Sequence, residues 1–167
     1  MKKSALLAVA AALALPGAWA AINSAYAPSG AHYANGSGDP VCTKDSDLNV
    51  TCTATTIGGV GHTNADLLLS ATYSFTVQCR NNGNQIVDVK TQTRSSPSVS
   101  NLPSSKNGQL AVPSITATAP TIDDMKAAAK CPNPNWTKEV LGGLTVSFLY
   151  TLTFDHFDQP AIMISGS

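Results

Sequence analysis

The residues of this chain with chemistry to offer are three histidines, ten carboxylates and four cysteines. His62 stands four positions before Asp66, and His156 lies inside Asp155-His156-Phe157-Asp158. An imidazole beside a carboxylate can act as a general acid–base pair or supply nitrogen and oxygen to a metal. Neither pair comes with a G-x-S-x-G elbow or an H-E-x-x-H helix, so no reaction class is specified. Solvated strand ends are the favoured reading of both, and a secreted hydrolase using His62 or His156 is the rival. Asp45-Ser46-Asp47-Leu48-Asn49 opens like a calcium loop, but Val50 stands where that loop needs glycine and Thr56 where it needs a bidentate glutamate. A polar hairpin tip is expected there. Gly59-Val60-Gly61 lacks the third glycine of a dinucleotide fingerprint and precedes a strand rather than a helix. No cofactor and no metal site are therefore expected.

Compartment follows from the N-terminus and the cysteines. Lys2 and Lys3 precede an apolar run, Ser4 to Leu15, that is too short to cross a bilayer; Pro16-Gly17 ends it, and Ala18-Trp19-Ala20 fits a small-x-small cleavage site. Residues 1–20 read as a signal peptide cut between Ala20 and Ala21, leaving 147 residues. No later stretch is a membrane-span candidate. Loss of Lys2 and Lys3 leaves eight basic groups against ten acidic ones, which offers no footprint for nucleic acid or anionic lipid. Cys42, Cys52, Cys79 and Cys131 all follow the cut, and an even number in an exported chain implies two disulfides. Of the three connectivities, Cys42–Cys52 with Cys79–Cys131 is preferred. A hairpin turning at Lys44 to Asp47 sets the first pair opposite one another. The absence of any C-x-x-C speaks against zinc.

These residues need a frame, and the pattern supplies one. From Leu69 to Arg80 the chain alternates, with Leu69, Ala71, Tyr73, Phe75, Val77 and Cys79 on one face and Ser70, Thr72, Ser74, Thr76, Gln78 and Arg80 on the other. That is a half-buried β-strand. Ile86 to Thr93 alternates again and should pair with it across the Asn81–Asn84 turn. Residues 21–40 carry turn formers without a period and read as a flexible arm, with an edge strand near Ala31 to Ala34. Ser95 to Asn107 reads as a long surface loop. Gly108 to Ala119 reads as another strand, which Pro113 demotes to an edge or a bulge. Thr121 to Lys130 is the one helix candidate, capped by Thr121 and stopped by Pro132. Gly142-Gly143 reads as a hairpin turn between a strand from Trp136 and one ending at Phe154, and Ala161 to Ser165 as a last strand. Trp136, the one tryptophan after the leader, is expected to pack in the core beside Cys79–Cys131; exposed, it would be a ligand contact for a sugar ring. Asn49 and Asn135 head glycosylation sequons, to which a bacterial-looking leader gives little weight.

Four segments carry a resemblance: V-T-C-T at Val50 to Thr53, I-G-G-V-G at Ile57 to Gly61, V-Q-C-R-N-N-G-N-Q at Val77 to Gln85, and C-P-N-P-N-W-T at Cys131 to Thr137. Over roughly residues 41 to 155 the chain is similar to a group of small exported bacterial proteins without an assigned activity. The resemblance implies an immunoglobulin-like β-sandwich with paired cysteines at these places, and it implies no mechanism.

The expectation is thus an all-β, antiparallel, immunoglobulin-like sandwich of about seven or eight strands, with one short helix near 121–130, in a single domain over residues 41–167. It is expected to be secreted, outside the cell or in the periplasm, and non-catalytic. It would serve as a surface or extracellular binding or structural module, its partner a surface protein or a glycan. A pilus-type subunit that borrows a strand is a further alternative, against which the full strand count speaks.

Overall fold

The chain is organised around one strand, β6 (Ala65–Arg80), whose odd-numbered residues are all buried and whose even-numbered ones are not. The structure, a computed structural model, describes residues 21–167 and the backbone of Ala18–Trp19. The rest of the leader, including the Ala20 side of the expected cut, lies outside the described residues.

Strand β11 (Thr137–Phe154) pairs with β6 from Thr137 opposite Arg80 to Phe154 opposite Ala65. Along the other side of β6 lie β7 (Ile86–Ser95), opposite residues 71–80, and then β8 (Ser98–Leu102). Outside β11 comes β12 (Ile162–Gly166), and on its outer edge β1 (Ala18–Trp19). Two short sheets complete the frame. One is β10 (Ile115–Ala117), β4 (Val50–Cys52) and β3 (Cys42–Lys44); the other is β2 (His32–Tyr33), β5 (Thr55–Gly58) and β9 (Leu110–Val112). Every recorded pairing is antiparallel.

The inward faces of the long sheet and both short sheets meet in one core. Leu67, Leu69 and Tyr73 of β6, Tyr150, Leu152 and Phe154 of β11, and Ile162 of β12 face Val50, Ile57 and Leu110. A smaller cluster sits further along the ribbon, where Phe75 and Val77 are covered by Met125 and Ala129. These last two residues belong to the segment of α1 (Ile122–Ala128) and its C-cap. Helix α1 forms where expected: Thr121 accepts from the Asp124 N–H while the Asp124 carboxylate accepts from Thr121, a reciprocal capping box.

Several expectations are corrected. Gly142-Gly143 makes no hairpin; both flanking segments belong to β11, and the register slips between Leu141 and Thr145. The 16-residue β6 is long enough to pair with both halves, so the glycines form a bulge, with Gly143 at φ +94°. The surface loop expected over 95–107 contains β8, which buries Leu102 and is held where Asp66 accepts from the Asn101 N–H. Pro113 divides the expected 108–119 strand into β9 and β10, which join different sheets. The described residues therefore carry more strands than the seven or eight expected, twelve in all. The 21–40 segment is docked rather than loose: Ala27 and Pro40 are buried, β2 pairs with β5, and the Asn23 N–H donates to Ala161 O at 2.8 Å. Its apolar side chains, Ile22 and Tyr33, have core surface to cover, and that outweighs the turn-forming composition.

Candidate functional site

The two histidine loops sit at one end of the long sheet, joined through Asn64. Its carbonyl accepts from the Asp155 N–H at 2.9 Å, its side-chain oxygen from the Ser104 N–H at 3.0 Å, and its amide donates to Asn101 Oδ1 at 2.8 Å. Alternation placed none of this, because the partners are 37 or more residues apart; only the polar run Thr63-Asn64 signalled a turn. His62 and His156 are both exposed, and His156 occupies the left-handed region at φ +69° where the chain turns back. The carboxylate nearest His62 in sequence, Asp66, accepts the Asn101 N–H at 2.7 Å and so fixes β8. Among the described residues no three His, Cys, Asp or Glu side chains converge as metal ligands would. The third histidine, His32, donates from Nδ1 to Gly30 O at 2.8 Å and lays its ring against Gly58, so it fills space between two glycines.

The calcium-like stretch is a hairpin tip. Asp45 Oδ1 accepts from the Asp47 and Asn49 N–H groups at 2.9 and 2.8 Å, and Oδ2 accepts from the Asn49 amide at 2.8 Å. These bonds, the Asn49 side chain first, hold the Asp45 carboxyl below the usual carboxylate range. Leu48 takes φ +64°, and Asn49 Oδ1 accepts from the Ala119 N–H, so the tip is tied to the β10 side of the molecule.

At the opposite end of the ribbon, Cys79 bonds Cys131, while Cys42 bonds Cys52 directly across the β3–β4 pair. The first bridge fastens the segment after α1 to β6. Lys138 reinforces it, donating from Nζ to Lys126 O and Ala129 O, both at 2.8 Å, at the negative end of the helix. Trp136 is corrected here: it is half-buried and belongs to neither hydrophobic cluster. The reason is position. It precedes β11, among the exposed Pro132, Asn133, Pro134 and Asn135.

Three tyrosines line the core and differ in how their hydroxyls are satisfied. The Tyr73 hydroxyl proton is shared between Leu48 O at 3.2 Å and Ala117 O at 3.1 Å. Tyr150 is fully buried and its hydroxyl has no hydrogen-bond partner among the described residues; burial pushes its ionisation up to about 12. Burial, then the charges of Asp39 and Tyr150, pushes Tyr33 up as well.

The outer face of the long sheet is an accessible feature. Register places Ser70, Thr72, Ser74 and Thr76 of β6 beside Leu149, Ser147, Thr145 and Leu141 of β11, with Met163 and Ser165 of β12 at the margin. Leu68, Leu149 and Met163, and Ile86 at the β7 end, are exposed large apolar residues on it. Hydroxyls with a few apolar side chains suit contact with a polar surface or a sugar. No helix of the described residues is long and apolar enough to cross a membrane. Comparisons with protein-family models, with curated proteins and with solved structures found no match to this chain.

Proposed function

We propose that this chain is an exported, non-catalytic binding or structural module of the cell surface or its surroundings. Its frame would be of the immunoglobulin-like kind and its partner a surface protein or glycan. The observation that carries the reading is the combination of two disulfides with a broad hydroxyl-rich sheet face. Disulfides accumulate in chains that leave the reducing compartment. The leader-like residues 1–20 support the same route, and the C-P-N-P-N-W-T segment supports kinship with small exported bacterial proteins.

Several of the groups that chemistry could use are engaged in holding turns and strands. Asp66 carries β8, Asp45 closes a hairpin, and His32 packs on glycine. The test is a glycan-array and surface-protein pull-down screen with the labelled exported chain, repeated with Leu68→Asp/Leu149→Asp. Binding that the outer-face variant abolishes is the expected result. Turnover of a simple ester or glycoside substrate that falls in His62→Ala or His156→Ala would replace this reading with the hydrolase.

A further inference from the structure

Strand β12 is the one edge of the long sheet whose neighbour is a segment expected to be removed. Ala18 lies opposite Ile164 and Trp19 opposite Met163, so the last residues of the leader run antiparallel along it. A cut between Ala20 and Ala21 takes these residues away. The arm that remains is anchored one step back, by the Asn23 N–H on Ala161 O, and leaves Ile162 to Gly166 uncovered.

An open strand edge pairs readily with another strand unless something guards it, such as a charge, a proline, a bulge or extreme shortness. The other edges are guarded. Strand β7 presents Asp88, Lys90 and Arg94, and β3 ends in Lys44; β8 pairs with a register slip and is flanked by Pro97 and Pro103, β2 is two residues long, and β9 and β10 are three residues each on either side of Pro113. Strand β12 is Ile-Met-Ile-Ser-Gly, with no charge, no proline and no slip in its register with β11.

We propose that, once the leader is cut, this edge pairs antiparallel with the same edge of a second copy, so that two long sheets become one. The inference rests on export with cleavage as read above. The geometry is self-complementary. With Ile164 opposite Ile164 of the second copy, residues 162–166 overlap end to end and stop short of Ala161, which Asn23 occupies. Directly opposed residues share a face, so Ile162 and Ile164 stay on the core side in both copies and Met163 meets Ser165 on the outer side. A twofold axis through that point makes the contact isologous and closed, which yields a dimer rather than a fibre. An uncharged strand meets itself without repulsion. A groove of about 650 Å³ beside the edge, with Ile22, Tyr26, Pro160 and the 54 % exposed Met163 among its lining, adds apolar surface for the second copy to cover.

The test uses the chain as exported by cells. Intact mass reads the N-terminus, and light scattering over a concentration series reads the assembly. The expected result is a chain beginning at Ala21 that dimerises. Met163→Lys/Ser165→Lys and Met163→Glu/Ser165→Glu, both at exposed positions, are each expected to be folded monomers by circular dichroism, and their mixture to recover the dimer. A cleaved chain that stays monomeric, or a lysine variant that still dimerises, overturns the edge pairing. A mass that retains residues 18–20 overturns the cleavage premise instead, and the proposal with it.

Discussion

Tyr73 and Tyr150 lie on the same buried face, yet removing their hydroxyls should have opposite consequences. Tyr73→Phe strips the partner from the Leu48 and Ala117 carbonyls and should cost about 1–2 kcal/mol. Tyr150→Phe removes a buried hydroxyl without a partner, so stability should hold or rise by up to about 1 kcal/mol. Urea midpoints of the two variants check both. Alkaline pH gives an independent reading. A tyrosine whose ionisation is raised on folding contributes stability that is intact below its unfolded value, near 10. That contribution is lost as pH climbs through its folded value, because the unfolded chain ionises first. Stability should therefore fall between pH 10 and about 12, and less so in Tyr150→Phe, as followed by ellipticity. The period of two in the sequence reveals that both rings point inward. It is silent on which hydroxyl finds a carbonyl, because the acceptors of Tyr73 lie 25 and 44 positions away.

Among the elements, β11 shows what local pattern conveys and what it omits. Its inward residues, from Leu144 to Phe154, follow directly from alternation. The reading of Gly142-Gly143 as a reversal fails because a glycine pair suits a bulge as well as a turn, and only the length of the partner strand decides between them. From Leu141 to Thr145 the strand advances four positions while β6 moves two, from Thr76 to Ser74. Deleting both glycines should therefore keep every inward residue inward and preserve the fold. Deleting one should turn the Thr137–Leu141 half inside out and unfold the distal cluster. Proteolysis and thermal melting would separate the two. At the nearby helix end, Lys138→Met should fray α1 and cost about 1–2 kcal/mol, since two carbonyls lose a charged donor. Strand β8 was hidden for a similar reason: its serines and the flanking Pro97 and Pro103 carry loop composition, and its pairing depends on a carboxylate 35 positions earlier.

At the scale of the whole molecule, the two bridges act on different lengths of chain. Cys42–Cys52 spans 10 positions and Cys79–Cys131 spans 52, so the chain-entropy model assigns about 3 and about 4 kcal/mol respectively. The paired variant Cys79→Ala/Cys131→Ala should lose the more stability in urea titrations. Intact mass with and without reductant should find no free thiol in the exported protein. The β class and the helix were readable because they depend on local period and capping. The division into one long and two short sheets was not. It is decided where Pro113 moves the chain between sheets and where β5 forms at Thr55–Gly58, just ahead of Gly59-Val60-Gly61.

Trp136 lies outside the main core, next to the end held by Cys79–Cys131 and the small Phe75–Met125 cluster. With the leader gone it is the chain's single indole, and hence its only strong fluorophore. Its emission reports the tip of the ribbon and not the body. Loss of that signal should precede loss of far-ultraviolet ellipticity in denaturant, and still more so after reduction. A fluorescence titration alone would then understate how firmly the rest of the molecule holds.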